Sequence, residues 1–510
     1  MMLEEANYNI YTPKNIADKM IEKILNSYFS TGDKKDRLDK IKICDISCGS
    51  GNLLLPALEK LLKLSKSIYG EYRFYPSWIS GFDINDSAIY VAREKIKQLL
   101  KKYGIKFIES DINLKKSNAL MLENEKYNVM IGNPPYLGEK NNKELFHNIK
   151  NSEFGKKYYE AKMDYFYFFI EKAIELLEND GFLIYLTTYY WLRADSGNIL
   201  RDTLKKNGNF LDMDIYDNSL FADADGQHNI IFLWEKSLKD DKIIKVSLPD
   251  KEFNIYNSQL YDKDNKIILA NESELDLNNK ILNKSNYILQ DLVNVNQGII
   301  SGYDKAFIFS EYNEKFKEYL KPFYKNKDIQ LYSNNKNQYW ILYMGKDAVL
   351  SPDIEEYLLP FKEKLENRRE VKEGRIKWWQ LQWARDEYIF NSPKILVRQR
   401  CKTNQFSYDV GSFYGSADIY YITQKNKDIS LLYILGYMNS SIFLEWFKLN
   451  GKFKGLNYEF YATPLKNTPI YYPESKGEIE YIEKLVKKQI DGYSQDIQDK
   501  INAFFINIYK

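Results

Sequence analysis

The sequence predicts an α/β chain: a Rossmann-like seven-stranded domain with interleaved helices, followed by a mixed α+β domain. Three observations carry this. Over roughly the first half, short apolar runs alternate with helical patterns, the signature of a mainly parallel sheet. After about residue 237 that alternation fades, and from about 286 basic and aromatic residues mix through short strand-like pieces. The length of 510 residues exceeds what one core usually holds and suggests about two to four domains. The expected boundaries are 1–240 for the first domain, 241–285 for a connector with a strand or two, and 286–510 for the second domain with its terminal helix.

In chain order, "IKICDIS" (41–47) is the first strand and "GNLLLPALEKLLKLS" (51–65) a helix with leucines at helical spacing. "WISGFDI" (78–84) is the second strand, and "SAIYVAREKIKQLLKKYG" (87–104) a helix stopped by Gly104. "IKFIES" (105–110) and "YNVMIG" (127–132) follow as strands three and four. "DYFYFFIEKAIELLENDG" (164–181) reads as a helix and "FLIYLTT" (182–188) as strand five. "FLDMDIYD" (210–217) and "NIIFLWEK" (229–236) close the sheet as a hairpin. In the second domain "YWILYMG" (339–345) and "KILVRQRC" (394–401) are strand-like. "SLLYILGYMNSSIFLEWFKL" (430–449) and the tail from Glu478 are helical.

Hydrophobic residues make 44% and charged residues 28%, ordinary for a folded soluble protein. Aromatics reach 15%, which fits both A/T-rich codon usage and stacking on bases. The net charge is only +2, so any nucleic-acid surface is local. Cys44, Cys48, Cys401, His147 and His228 give neither a disulfide framework nor zinc spacing, and no metal is expected. No long apolar run or signal peptide is visible, so no membrane partner is expected and the chain reads as cytoplasmic.

The first strand ends in "DISCGSGN", placing Asp45, Gly49 and Gly51 at a strand-to-helix turn. Glycines there let backbone amides approach a ligand, and a helix N-terminus favours its anionic group. Such a turn is common in α/β proteins, so alone it is weak. The second strand ends in "GFDIN", with Asp83 at the neighbouring edge, where an acid accepts both hydroxyls of a ribose. Asp83 could instead cap the next helix, a role open to Asp86 or Ser87 as well.

Strand four stops at Asn133-Pro134-Pro135-Tyr136. Proline lacks a donor and fixes φ, so this segment ends a strand. An exocyclic amine is a poor nucleophile because its lone pair is delocalised into the ring. Acceptors on both amine hydrogens localise that pair; the Asn133 amide oxygen and the Pro134 carbonyl supply two. The prolines preset both acceptors, and Tyr136 offers a ring face to a base removed from its stack.

With these motifs in this order, the first half resembles the S-adenosylmethionine-dependent amino-methyltransferases of DNA of the gamma, or TaqI-like, class. "YTPKNIADKM" (11–20) resembles the N-terminal cofactor motif, so the resemblance implies that Tyr11, Thr12 and Pro13 cover the methionine part. It implies Asp45, Ser47, Gly49 and Gly51 for the cofactor loop, Asp83 and Ile84 for the ribose, and Asn133 beside the methyl group. "SNAL" (117–120) holds the adenine-ring position with Asn118 and Ala119; the class usually has Asp where Asn118 stands, and Asp111 is a less well-spaced substitute. "NSLFAD" (218–223) matches the loop whose aromatic, here Phe221, packs the other face of the flipped base; a core role for Phe221 stays open.

The resemblance implies a TaqI-like target-recognition domain from 286 on, through "NQGIISGYDKAFIFS" (296–310), "KLENRREVKEGRIKWWQLQW" (364–383) and "SADIYYI" (416–422). The likeness, which includes clostridial orphan members of the class, runs from about residue 8 almost to the end. Double-stranded DNA is the expected partner, with Arg368, Arg369, Lys372, Arg375, Lys377 and Trp378 as first contacts. Arg398, Arg400, Lys452 and Lys454 are further candidates, and Gln399, Asn404 and Asn457 could pair with adenine edges. A charged run is more often a solvated face, and the tryptophans could be core.

The implied activity is site-specific adenine-N6 methylation of a flipped base by direct transfer, as a monomer working on the nucleoid. Cytosine N4, RNA and protein glutamine remain alternatives, as does a silent DNA-binding protein of the same fold; a nicotinamide oxidoreductase leaves Asn133-Pro134-Pro135-Tyr136 without a role. Because the first cofactor motif begins near Tyr11, no fused nuclease is expected; a separate one is compatible with the chain.

Overall fold

The computed structural model describes residues 12–217, 219–221, 228–454 and 457–510. The chain divides into two compact units, Met1–Asn271 and Glu272–Lys510.

The first unit is built on one mixed sheet. Its strands are β1 (Ile43–Asp45), β2 (Ile79–Asp83), β3 (Asn113–Lys116), β4 (Tyr127–Gly132), β5 (Leu177–Thr188), β6 (Asn209–Tyr216), β7 (Asn229–Glu235), β8 (Ile243–Ser247) and β9 (Glu252–Tyr256). Their spatial order is β3-β2-β1-β4-β5-β7-β6-β8-β9. β1 pairs in parallel with both β2 and β4, and β4 with β5; β7 runs antiparallel between β5 and β6. The order reverses between β1 and β4, and ligands bind at such a switch point beyond the carboxyl ends of the strands.

The helices are α1 (Lys14–Tyr28), α2 (Lys34–Lys40), α3 (Leu54–Tyr69), α4 (Asp86–Lys102), α5 (Lys143–Lys150), α6 (Glu153–Tyr158), α7 (Phe166–Leu176) and α8 (Asn198–Asn207). Ile16, Met20, Ile24 of α1 and Leu54, Leu58, Leu61 of α3 recur at helical spacing, and all are buried in one core with Val129 and Ile131 of β4.

The seven expected strands all have counterparts, but the third is displaced. It is Asn113–Lys116, not 105–110: an edge strand needs only Leu114 inside, whereas Asp111 takes the Ile108 N–H (2.8 Å) and turns the preceding segment. Asn85, rather than Asp86 or Ser87, caps α4, accepting from the Ala88 N–H at 3.1 Å. The 164–181 helix pattern stops at Leu176, where Lys236 Nζ caps the carbonyls of Ile174 and Leu177 (2.7 and 2.8 Å) and β5 begins. The 241–285 segment extends the sheet by β8 and β9, while its helix Glu272–Lys284 packs within the second unit.

The second unit holds two four-stranded sheets, one centred on Ile419–Gln424 and Lys394–Arg398, the other on Tyr339–Leu342 and Leu320–Tyr324. The 430–449 helix is two helices, Leu431–Met438 and Ser441–Asn450, since Asn439 brackets the Phe406 backbone (3.0 and 2.9 Å) and Ser440 caps the second. The tail is likewise a pair, Lys476–Asp491 and Gln495–Tyr509. Among the described residues no helix is long and apolar enough to cross a membrane.

Candidate active site and nucleic-acid interface

The turn after β1 closes on itself and on β2. Asp45 accepts the Ser47 N–H (2.9 Å) and hydroxyl (3.4 Å), and Asp83 accepts the N–H groups of Gly49 and Asn85, both at 2.9 Å. Gly49 and Gly51 take φ of +48° and +81°, which favours glycine, and a Cβ at Gly51 would lie 3.2 Å from Cβ of Ala92. A carboxylate offers about four lone-pair sites, so Asp83 retains two for a ligand. Burial, with the Asp83 charge adding, pushes the Asp45 carboxyl up to about 7.

Asp45, Ser47, Gly49, Asp83, Ile84, Asn118, Ala119, Thr12 and the Asn133–Tyr136 loop line one cleft. Asn118 Oδ1 accepts the Leu120 N–H (3.1 Å) and so caps its own turn. Asp111 does not line the cleft. Tyr165 and Phe169 do, and sequence reasoning missed them. Their i, i+4 spacing was visible, but it does not separate a cleft-facing aromatic from a core one. Tyr11 lies outside the described residues; Pro13 directly precedes α1.

β4 ends at Gly132, which packs against β5 so closely that a Cβ there would fall 2.7 Å from the Tyr185 ring. Asn133 follows, its Nδ2 donating to Thr12 Oγ1 at 3.1 Å. The Tyr136 hydroxyl donates to Asn133 Oδ1 (2.6 Å) and also lies 3.1 Å from the Leu186 carbonyl. The amide is thus held from both sides, with one lone pair of Oδ1 left. Phe221 is buried, its ring 6.3 Å from that of Tyr136 at 57°.

The cleft combines N–H groups at a glycine turn, an acid at the β2 edge and apolar surface from Ile84, Ala119 and Phe169. That donor set fits S-adenosylmethionine: a carboxylate end, ribose hydroxyls and a purine. Among the described residues no cluster could hold a metal.

The basic candidates separate sharply. Arg368 is buried and donates to the carbonyls of Leu365, Ser301 and Trp378 (2.9, 3.2 and 2.7 Å), so it braces the fold instead of facing a phosphate. Arg369 and Arg375 are exposed and share Glu373 (3.1 and 2.9 Å). Lys372 is exposed; Lys377 stands over Trp379, and half-buried Trp378 lies under Lys362. Arg398 donates to Gln405 (3.2 Å), and Arg400 to Glu459 and Tyr461 (2.9 and 2.8 Å). Lys452 is exposed on the strand Lys452–Lys454; the Lys454 side chain lies outside the described set. Asn404 is buried on the carbonyls of Met438 and Ser440 (2.7 and 2.9 Å), a structural role that takes it away from base edges. Gln399 and Asn457 are half-buried.

Comparison with known proteins fits this division. Residues 58–221 match the Eco57I restriction-modification methylase family, and 321–470 the TaqI-like C-terminal specificity domain. The type II methyltransferase M.MjaIV of Methanocaldococcus jannaschii is 31% identical over 225 residues, covering 40% of this chain and 74% of that protein. M.HindII of Haemophilus influenzae is 26% identical over 425 residues, covering 74% of this chain and 82% of its own. M.BstVI of Geobacillus stearothermophilus is 22% identical over 562 residues, covering 98% and 96%. Among solved structures, the type IIL restriction-modification enzyme MmeI superposes with a TM-score of 0.70 at 13% identity, covering 98% of this chain and 75% of that one, and so shares the fold. The chain belongs to the type II DNA methyltransferase family, with S-adenosylmethionine as its cofactor.

Proposed function

We propose that the chain is a site-specific adenine-N6 methyltransferase that flips its target adenine out of double-stranded DNA. The observation that carries this reading is the Asn133 amide, clamped between Thr12 and Tyr136 in the same cleft as Asp83 and the Gly49 turn. The bound cofactor supplies an electrophilic methyl group. Asn133 Oδ1 and the Pro134 carbonyl accept the two amine hydrogens and localise the nitrogen lone pair. The prolines hold both acceptors in place before the base arrives.

Tyr136 and Phe221 flank the base. Two rings sandwiching a base need about 7 Å between them, twice the base-stack rise of about 3.4 Å. Their centroids are 6.3 Å apart and tilted, so Phe221 swings away as the base enters. Target reading belongs to the second unit, through Arg369, Lys372, Arg375, Lys377, Arg400 and Lys452, all exposed. The same reading has a monomer acting on chromosomal DNA in the cytoplasm, near the clostridial orphan members of the family. It assigns methyl transfer to the first compact unit and target reading to the second.

Transfer of radiolabelled methyl to duplex DNA, single-stranded RNA and protein tests this. Label confined to duplex DNA, recovered as N6-methyladenine and absent with N133A, is the expected result; label in RNA or protein alone overturns it.

A further inference from the structure

Beyond Tyr136 the catalytic loop is laced to the segment that leads into α7. The Leu137 N–H donates to Asp164 Oδ1 at 2.8 Å, and the Leu137 carbonyl accepts the Tyr165 N–H at 2.9 Å. The Glu139 N–H donates to the Met163 carbonyl at 3.2 Å. In return the Glu139 carboxylate accepts the Tyr159 hydroxyl at 2.6 Å and the Lys162 N–H. Lys162 takes φ of +68°, a conformation that costs about 1 kcal/mol and persists where surrounding contacts enforce it.

The loop has a shortage of anchors. Pro134 and Pro135 have no N–H, so the stretch between Asn133 and Tyr136 cannot tie itself down through backbone donors. Leu137 carries the next free donor after Tyr136, and it goes to Asp164. Asp164 does not line the cleft, whereas Tyr136, Leu137 and Tyr165 do, so its carboxylate stands one layer behind.

We propose that Asp164 is a positioning residue for methyl transfer: by fixing the Leu137 N–H it sets the aim of the Asn133–Tyr136 loop. The inference rests on the reading of that loop as the amine-binding element. It separates Asp164 from an ordinary helix cap, because a cap would hold only Tyr165 and Phe166 of its own helix.

The chemistry of the carboxyl supplies a test. Burial pushes Asp164 up to about 6, against backbone N–H groups of Leu137, Tyr165 and Phe166 that pull it down. The ionisable groups facing it are Tyr136 and Tyr167, both held neutral by burial. As pH falls through about 6, the carboxylate gains a proton and becomes a weaker acceptor. Asparagine at this place is a neutral acceptor, as the protonated carboxyl is, and does not titrate.

The experiment measures kcat and cofactor Kd for wild type, D164N and D164A on duplex DNA bearing the motif that the wild type modifies. The expected result is a loss of about 30-fold in kcat for D164A with cofactor Kd within about three-fold, and a loss of only about three-fold for D164N near pH 7.5. The ratio of D164N to wild-type kcat then rises about two-fold, toward one, on going to about pH 5.5, as the wild-type carboxyl becomes a neutral acceptor too. Equal losses in both variants, wild-type kcat in D164A, or a loss confined to cofactor binding overturns the proposal. If D164A does not fold, a flat D164N ratio across pH overturns it alone. A wild type that methylates no duplex DNA instead overturns the reading of the loop itself, and the two failures are thereby distinguished.

Discussion

Asn133 Nδ2 donates to the Thr12 hydroxyl at 3.1 Å, joining residues 121 positions apart in the chain. The bond ties the N-terminal cofactor segment to the catalytic amide and fixes which end of the amide faces Tyr136. Thr12→Val removes the acceptor while keeping the shape. A neutral hydrogen bond contributes about 1 kcal/mol, so kcat should fall about five-fold, with Thr12→Ser close to wild type. Steady-state methylation rates check this, and equal rates for Val and Thr would contradict the clamp.

Asp83 holds two loops at once, through the N–H groups of Gly49 and Asn85. Asp83→Ala leaves both donors unpaired and removes the acid expected at the ribose. Hydrogen bonds to a charged group contribute about 1.5–3 kcal/mol each, so the cofactor Kd should rise at least about 30-fold in a calorimetric titration. Unchanged affinity would place the cofactor elsewhere.

Asp45 gives a pH dependence whose sign is fixed. Its carboxyl is pushed from 3.8 up to about 7, so the folded state binds the proton more readily than the unfolded state does. That contribution to stability is full at about pH 4 and below, and is lost as pH rises through about 7. Asp164 and Glu171, raised to about 6 and about 9, act in the same direction. The Tm of the cofactor-free protein should therefore gain less between about pH 8 and pH 6 in Asp45→Asn than in wild type. Scanning calorimetry at both values decides it.

Glu171 is 1% exposed, and among the described residues neither carboxylate oxygen has a hydrogen-bond partner of good geometry, the Thr203 side chain pulling its pKa down only in part against burial. Burial is the main cause of its raised carboxyl, which is protonated at neutral pH. Glu171→Met removes the unpaired polar group at similar volume and should stabilise the first unit by about 1–3 kcal/mol. Glu171→Gln keeps a polar group there and should gain little. A lower Tm for the Met variant would show that the carboxyl has a partner role.

Arg368 and its exposed neighbours should behave in opposite ways. Arg368→Ala strands three carbonyls and should lower the Tm. Lys372→Ala and Lys377→Ala should leave Tm alone and weaken DNA binding. Every phosphate that a variant no longer neutralises makes the slope of log K against log salt shallower by about 0.9. A Tm loss without a slope change for the lysines would remove this surface from the interface.

These contrasts mark what the sequence made legible. Strand β4 and its stop at Asn133 could be read from a buried apolar run closed by two prolines, and the glycine turn from its position after β1. Tyr165 and Phe169 could not, because helical spacing gives a face and not what the face meets. Arg368 misled for a related reason: among neighbouring arginines nothing local says which one turns inward onto carbonyls. The third strand was misplaced because an edge strand with only Leu114 buried carries almost no periodic signal. Asp164 was visible only as the first residue of a helix pattern, since its bond to Leu137 spans 27 positions.

The central claim is that the Asn133 amide activates the amine of a DNA adenine. Single-molecule sequencing of genomic DNA from a methylation-free host expressing the wild type, beside one expressing N133A, tests it most directly. The account predicts N6-methyladenine at one sequence motif in the first genome and none in the second. An unmodified wild-type genome, or one unchanged by N133A, would contradict it, and N4-methylcytosine would keep the amine chemistry while overturning the base.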